Sequence, residues 1–394
     1  MKNLFNTRSP SFDVKSITDT IQRSLAAAGL DTTSGPMAGV TETIRQALSS
    51  GGVAGLRSAR PVHDSIIDVA TRVVEESEDA STTLRHKPSI VEPQTPGTFE
   101  TFAYSSKFGS RSYKVYVPTN VASQPALVVM LHGCTQSAND FAAGTQMNRL
   151  AEEHGFLVLY PEQDGGSNMS KCWNWFKAQD QVRDSGEPGL IAGLVREVAL
   201  RHHVDSRRIY VAGLSAGAAM AVVLGQTYPE LFSGVGAHSG LPYASAHDIP
   251  SAMAAMKGGR GLAGTIMASG DSSPRGACHA VPTIVFHGDR DHTVQHSNGV
   301  RIVDEANAAL KAERGGASLQ CSTHRATSSG GRSYSRSVHT DAAGSPQVEA
   351  WTVHGAGHAW SGGHSSGSYT DGTGPDASAE MVRFFLALPR AGSA

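Results

Sequence analysis

Gly213-Leu214-Ser215-Ala216-Gly217 is the stretch that decides the fold of this 394-residue chain. The apolar run 209–212 precedes it, and small and apolar residues follow it to about Tyr228. This order predicts a strand, a sharp turn and a helix. A serine between two glycines at such a turn indicates a nucleophile elbow, which exposes the hydroxyl at the end of the strand. Gly213 and Gly217 leave room for the turn because they carry no side chain.

Two later strand ends carry the groups that a serine nucleophile needs, an acid and then a histidine in chain order. Residues 281–286 predict a buried strand, and residues 348–353 predict the last strand. The candidates are Asp289 and Asp291 after the first of these strands, and His354 and His358 after the second.

An earlier apolar segment, residues 126–131, also predicts a strand, and it ends in the loop 132–135. A second oxyanion donor belongs in such a loop, because the first donor is the N–H of the residue after the nucleophile. Four strand ends therefore carry four matching elements in the required order.

Composition narrows the class of protein. A net charge of −2 gives no long-range attraction to nucleic acid or to an anionic membrane. No apolar run approaches the roughly 20 residues of a membrane-spanning helix, so we expect no transmembrane segment. The first residues lack the apolar core of a secretory signal. We therefore expect a cytoplasmic protein, with export by a non-standard route as the alternative; the oligomeric state is not predicted.

The chain has four cysteines, too few for a disulfide framework. Cys134 and Cys172 flank the predicted site, which makes them the favoured pair if a bridge forms. Two reduced thiols beside the site are the alternative, and a bridge between Cys278 and Cys321 also stays open.

Two regions are predicted. Residues 1–96 form a helical or low-order extension and linker, either a leader with transient helices or helices that dock on a hydrophobic particle. Residues 97–394 form the second region, which carries all of the candidate groups above. Strands alternate with helices there, which predicts a mostly parallel sheet with helices on both faces. One helix is expected over 140–154, and a hairpin over 322–344.

Five segments of this second region stand out: 132–136, 160–163, 172–176, 213–217 and 357–363. As a set they resemble the poly(3-hydroxybutyrate) depolymerase family of esterases, which overlaps with the feruloyl and acetylxylan esterases of carbohydrate esterase family 1. The resemblance covers roughly residues 100–388. It implies an α/β-hydrolase fold, no cofactor and hydrolysis of carboxylic esters.

The resemblance also selects among the candidates. The family pattern His-Gly-x-x-Asp-x-x-Val points to Asp291, and His358 lies in the loop where the catalytic imidazole belongs. We expect His358 to take the Ser215 proton during attack, with Asp291 orienting the imidazole. Backbone N–H groups of Cys134 and Ala216 would bind the oxyanion.

The sequence determines the substrate less closely than it determines the candidate catalytic residues. Poly(3-hydroxybutyrate) or its oligomers are favoured, with polyhydroxyalkanoate granules as a possible partner. A feruloyl, acetylxylan or short-chain esterase is the alternative, and a non-catalytic granule-associated protein is an alternative of another class. Trp173 and Trp175 are candidates to line the substrate groove or to anchor a long loop. No set of histidines has the spacing of a closed metal site, so no metal is expected.

Overall fold

The computed structural model describes residues 95–259 and 279–389. The predicted extension over residues 1–96 therefore lies, apart from its last two residues, outside the described residues. The division of the chain at residue 97 stays a prediction.

One large sheet organises the described residues. Its strands are β1 (Thr98–Ser106), β2 (Gly109–Val117), β3 (Leu127–Leu131), β4 (Leu157–Glu162), β5 (Ile209–Leu214), β6 (Gly234–His238), β7 (Thr283–Gly288), β8 (Gln320–Thr327), β9 (Ser333–Thr340) and β10 (Pro346–Val353). Their order across the sheet is β1-β2-β4-β3-β5-β6-β7-β10-β9-β8. Neighbours from β4 to β10 in this order are parallel, and antiparallel pairs extend both edges. The predicted mostly parallel sheet is confirmed.

Helices cover both faces of this sheet, as predicted. They are α1 (Ala138–Thr145), α2 (Met147–His154), α3 (Gly186–Arg201), α4 (Ala216–Thr227), α5 (Ile249–Met256), α6 (Ser297–Glu313) and α7 (Ala377–Ala387). One buried cluster joins the sheet to α3, α4, α5 and α6. A second buried cluster joins the opposite face to α1, α2 and α7. A short parallel pair, β11 (Trp360–Ser361) and β12 (Thr370–Asp371), lies after β10.

The single helix expected over 140–154 is wrong, because the structure has two helices there. They are separated at Gln146, whose φ of 55° lies in the left-handed region. The apolar pattern continues across the break, since Phe141 and Met147 are both buried. Hydrophobic spacing alone could not reveal the break, because both short helices place their apolar residues against the same face of the sheet.

The hairpin expected over 322–344 is present as the antiparallel pair of β8 and β9. Gly331 lies in the turn with a φ of 89°, which a glycine adopts without strain. The hairpin adds two strands to the edge of the central sheet, next to β10.

The last helix, α7, packs closely on the centre of the sheet because β6 carries two glycines. A Cβ on Gly236 would lie 2.9 Å from both the Ala212 Cβ and the Met381 Sδ. A Cβ on Gly234 would lie 2.9 Å from the Leu388 Cδ1. These positions therefore have no room for a side chain under the helix.

We expect Gly236→Ala to lower the free energy of unfolding by about 1–3 kcal/mol, since added volume strains a packed interior. Urea denaturation followed by circular dichroism measures this. Gly165→Ala is the matched control, because nothing lies within 4 Å of a Cβ at that position. Equal stability of the two variants would contradict the close packing of α7.

Candidate active site

Ser215 occupies a strained turn between β5 and α4. Its φ of 58° and ψ of −119° are unfavourable for a residue with a side chain. A Cβ on Gly213 would lie 2.6 Å from the carbonyl oxygen of Leu131, and one on Gly217 would overlap the same atom. The turn thus approaches the end of β3 so closely that glycine is required on both sides of the serine. This is the geometry of a nucleophile elbow.

Two backbone donors beside the elbow are unused. Within the described ranges, no group accepts a hydrogen bond from the N–H of Ala216 or of Cys134. The loop that carries Cys134 runs along the elbow, because a Cβ on Gly217 would also lie 2.6 Å from the carbonyl oxygen of His132. Free N–H groups held in a rigid loop and at a helix N-terminus suit a developing negative oxygen.

The loop after β3 is held in place by side chains. The Gly133 N–H donates to Gln136 Oε1 at 2.9 Å. His132 is buried, and its Nε2 accepts from the Gln163 N–H at 3.0 Å. Burial lowers the pKa of His132, so the ring stays neutral as this bond requires. The backbone around Cys134 is therefore fixed from both sides.

A disulfide ties the same loop to a second loop. Cys134 and Cys172 are bonded, with their Cα atoms 4.2 Å apart. Of the alternatives left open by the sequence, the structure therefore contains the bridge between these two. Cys321 is free and exposed, and Cys278 lies outside the described residues.

Trp173 and Trp175 lie in the core rather than on a groove surface. Trp173 has no exposed surface and Trp175 is 6% exposed. The Trp173 Nε1–H donates to the carbonyl oxygen of His132 at 3.0 Å. In this conformation the two side chains anchor their loop, a role that is compatible with substrate contact, and their contact with substrate stays a prediction.

A buried carboxylate holds the far end of that loop. Glu187 accepts hydrogen bonds from the Asn174 N–H at 2.7 Å and the Asn174 Nδ2 at 2.8 Å. The Arg111 guanidinium lies 3.3 Å away, and Gln163 also donates to Glu187. Burial raises the pKa of Glu187. The Glu187 carboxylate is thus bonded on both oxygens, and its bonds to Asn174 fix the loop that carries Cys172.

The acid and the histidine meet because β7 and β10 are parallel neighbours. Their loops are joined by a hydrogen bond from the Arg290 N–H to the Ala356 carbonyl oxygen at 3.0 Å. His358 Nδ1 lies 2.7 Å from Asp291 Oδ2. Two backbone N–H groups of the next turn donate to Asp291 Oδ1 at 2.8 and 2.9 Å.

The carboxyl of Asp291 is buried but charged. Burial opposes its charge, yet hydrogen bonds from His287, His358 and the backbone hold its pKa well below the usual range. A permanent carboxylate at Nδ1 keeps the imidazole proton on that nitrogen and leaves Nε2 free to act as a base.

The competing aspartate and histidine form a pair of their own. His354 Nδ1 lies 2.9 Å from Asp289 Oδ2, and its Nε2 lies 2.8 Å from Ser335 Oγ. This chain of hydrogen bonds, from aspartate to histidine to serine, resembles a catalytic triad. Ser335, however, lies within the regular strand β9 and has no turn that exposes it. The Asp289 and His354 side chains are 35% and 38% exposed. We interpret the group as a clamp between β9 and the acid loop.

His238 connects the two halves of the site, and sequence reasoning did not single it out. Its carbonyl oxygen accepts from the Ser215 N–H at 2.9 Å, and its Nε2 accepts from the Ser361 N–H at 3.0 Å. Its ring stacks on Trp360 with centroids 5.1 Å apart. It thereby joins the elbow to the strand that follows His358.

No hydrogen bond joins the Ser215 hydroxyl to His358 in this structure, whereas His358 is bonded to Asp291. The bond between nucleophile and base is often long in an unliganded enzyme and tightens when substrate binds. Ser215 and His358 are both partly exposed, and both follow strands of the parallel set. Their cooperation in catalysis is a prediction.

The described residues show neither a metal site nor a membrane-spanning helix. No group of three or more His, Cys, Asp or Glu side chains there is arranged to hold a metal ion. No helix in the same ranges has both the length and the apolar character needed to cross a membrane.

Comparison with known proteins relates the site to esterases. The family model described as "Esterase PHB depolymerase" matches residues 111–310. Poly(3-hydroxyalkanoate) depolymerase C of Paucimonas lemoignei is 35% identical over 248 residues, which are 62% of this chain and 57% of that protein. Feruloyl esterase B of Neurospora crassa is 36% identical over 130 residues, 33% of this chain and 44% of that protein. The chain thus spans about half the length of these relatives.

A solved structure supports the fold. The acetyl xylan esterase from Aspergillus awamori superposes with a TM-score of 0.55 at 20% identity, over 74% of this chain and 100% of that chain. The predicted α/β-hydrolase fold is confirmed.

We expect stability to fall in acid because of His238. Burial, together with neighbouring His287 and His358, lowers its pKa to about 3. Below about pH 6.5 His238 therefore binds a proton in the unfolded chain but not in the folded chain. This difference lowers the free energy of unfolding by about 2 kcal/mol between pH 6.5 and pH 5. The contribution is fully present above pH 6.5 and is lost progressively as the pH falls toward 3.

Urea unfolding at pH 7 and pH 5 measures this slope for the wild type and for His238→Gln. The variant should lose less stability on acidification than the wild type does. His203→Gln is the control, because His203 is exposed. An unchanged slope in His238→Gln would contradict a neutral buried ring.

Proposed function

Since the chain belongs to the esterase PHB depolymerase family, we propose that it is a serine esterase that cleaves carboxylic esters with Ser215, His358 and Asp291. The single observation that carries the proposal is the strained elbow at Ser215 beside the two unused N–H donors of Ala216 and Cys134. An acyl-transfer site needs this combination, because the nucleophile and the oxyanion donors must lie together.

The reaction follows from these positions. Ser215 Oγ attacks the ester carbonyl while His358 Nε2 takes its proton, and Asp291 stabilises the resulting imidazolium. The Ala216 and Cys134 N–H groups bind the tetrahedral oxyanion. The imidazolium then protonates the departing alcohol, and water releases the acid from the acyl-enzyme by the same route.

The favoured substrate is poly(3-hydroxybutyrate) or its oligomers. The similarity to the Paucimonas lemoignei depolymerase supports this choice, because it covers more of the chain than the similarity to the feruloyl esterase does. Feruloylated, acetylated and short-chain esters are the second candidate, favoured by the likeness to a feruloyl and an acetyl xylan esterase.

The disulfide helps to predict the cellular compartment in which the protein works. Stable disulfides form in oxidising environments and are rare in the cytoplasm. We therefore favour an exported protein over the cytoplasmic one that the sequence favoured, and the bridge between Cys134 and Cys172 is the supporting observation.

We expect Ser215→Ala to abolish ester hydrolysis while leaving the fold intact, because it removes only the nucleophilic oxygen. Purified protein is assayed on amorphous poly(3-hydroxybutyrate) granules, methyl ferulate and acetylated xylan, with the variant as the blank for each. The substrate with the highest kcat/KM decides between the two candidates. A fluorophosphonate probe that fails to label the wild type would instead support a non-catalytic granule protein.

Asp291→Asn should lower kcat by roughly 10⁴-fold, as loss of the acid removes the correct imidazole tautomer. Asp289→Asn is the matched control, two residues away and bonded to His354 instead. Its kcat should stay within a few fold of the wild type. The reverse order of the two losses would move the acid to Asp289.

Breaking the disulfide should lower kcat by up to about 10²-fold, because the Cys134 N–H loses its tether and small displacements of catalytic groups are costly. Cys172→Ser and mild reduction of the wild type both test this. Cys321→Ser is the control, since that thiol is free and exposed. Full activity after verified reduction would show that the bridge does not hold the oxyanion donor.

A further inference from the structure

His287 is a buried histidine at the end of β7 to which the triad and the oxyanion donors give no role. Its Nε2 lies 2.8 Å from the carbonyl oxygen of Val294 and 3.5 Å from Asp291 Oδ2. A carbonyl oxygen only accepts hydrogen bonds, so Nε2 carries the proton. A buried N–H is therefore held beside the catalytic carboxylate.

Val294 closes a ring of contacts around that carboxylate. Its N–H donates to Asp291 Oδ1 at 2.8 Å, while its carbonyl oxygen receives the His287 proton. Asp291 Oδ2 lies between two imidazoles, with His358 Nδ1 at 2.7 Å and His287 Nε2 at 3.5 Å. The last torsion of an aspartate is soft by itself, so its orientation depends on such contacts.

The opposite edge of the His287 ring is packed but not hydrogen-bonded. Its Nδ1 has no hydrogen-bond partner among the described residues. A cavity of about 260 Å³ borders the ring and is also lined by Trp351 and His296. The ring is thus oriented by its Nε2 bond to Val294 rather than by a second hydrogen bond.

The helix α6 passes the ring at Gly299. A Cβ at this position would lie 2.6 Å from His287 Nδ1 and 3.1 Å from its Cβ. Glycine is therefore the residue that lets the ring occupy its place next to Asp291.

We propose that His287 is a positioning residue for the triad: its Nε2–H, anchored on Val294, holds Asp291 Oδ2 in line with His358. The inference rests on the proposed function, since it needs Asp291 to be the catalytic acid. His287 touches neither the substrate nor the reacting atoms and acts only through Asp291.

The first test compares His287→Leu with His287→Gln. Leucine removes the donor, and glutamine can place an amide N–H near the former Nε2. We expect His287→Leu to lower kcat roughly 10²-fold with KM unchanged, as for a displaced catalytic group. His287→Gln should recover a large part of kcat. Wild-type kcat in His287→Leu would overturn the proposal, as would equal losses in both variants.

The pH profile separates positioning from structure. The ionisable groups around His287 are Asp291, His238 and His296, with His358 on the far side of Asp291, and Asp304, Cys321 and His339 across the bordering cavity. Without the His287 N–H, the negative charge of Asp291 interacts with one imidazole fewer. It therefore stabilises the cationic form of His358, its remaining imidazole partner, more strongly. The acid limb of kcat/KM should therefore move to higher pH in His287→Leu and return in His287→Gln. A merely structural role would lower activity without moving this limb, and that result would overturn the proposal.

Gly299→Ala gives a test that keeps the imidazole and serves if His287→Leu does not fold. The added methyl group must displace the ring, so kcat should fall with KM unchanged. Val300→Ala is the control on the same helix, at a residue that is 45% exposed, and it should behave as the wild type. Equal kcat in Gly299→Ala and Val300→Ala would overturn the proposal. Activity that survives in Ser215→Ala would instead overturn the proposed function.

Discussion

Parallel hydrogen bonding from β4 to β10 brings four loops to one edge of the sheet. The loops after β3, β5, β7 and β10 carry, in turn, the proposed oxyanion donor Cys134, the elbow at Ser215, the proposed acid Asp291 and the proposed base His358. None of these groups is near another in the chain, and only the register of the strands brings them together. Backbone contacts then tighten the arrangement: the elbow closes on β3 through its glycines, and the acid loop bonds to the histidine loop. The proposed chemistry therefore depends first on the alignment of the strand backbones, because it determines where each functional side chain lies.

Much of this could be predicted from the sequence, because strand ends and turn residues are local signals. The elbow, the strand before Asp291 and the strand before His358 are all readable from apolar runs followed by glycine-containing turns. The break at Gln146 could not be read, since the apolar residues on both sides still point to one face. His238 and His287 were also missed. The role of His238 arises from neighbours far away in the chain. The neighbours of His287, which are Asp291 and Val294, are close in sequence, but the pattern of residues does not show which groups its ring nitrogens contact.

Two aspartate–histidine pairs lie side by side at this edge, and their surroundings decide their roles. The Asp291 side chain is fully buried, receives three hydrogen bonds and lies 3.5 Å from His287 Nε2, so its charge and direction are fixed. The Asp289 pair is open to solvent and bonds to a serine in a regular strand. The aspartate–histidine–serine chain of hydrogen bonds alone would favour the Asp289 pair, whereas Ser215 lies in a strained turn beside unused N–H donors and Ser335 lies in a regular strand. A triad is thus recognised by what surrounds its serine as much as by its three members.

The β8–β9 hairpin has a further consequence for the behaviour of concentrated protein. β8 is an outer strand of the sheet, and an outer strand offers unpaired backbone groups to any neighbouring chain. Its side chains are almost all exposed and polar, including His324 and Arg325. Such a border resists the lateral addition of another molecule's strand, because charged and hydrated groups would have to be stripped of water. The hairpin therefore protects the sheet against fibrous self-association on that side.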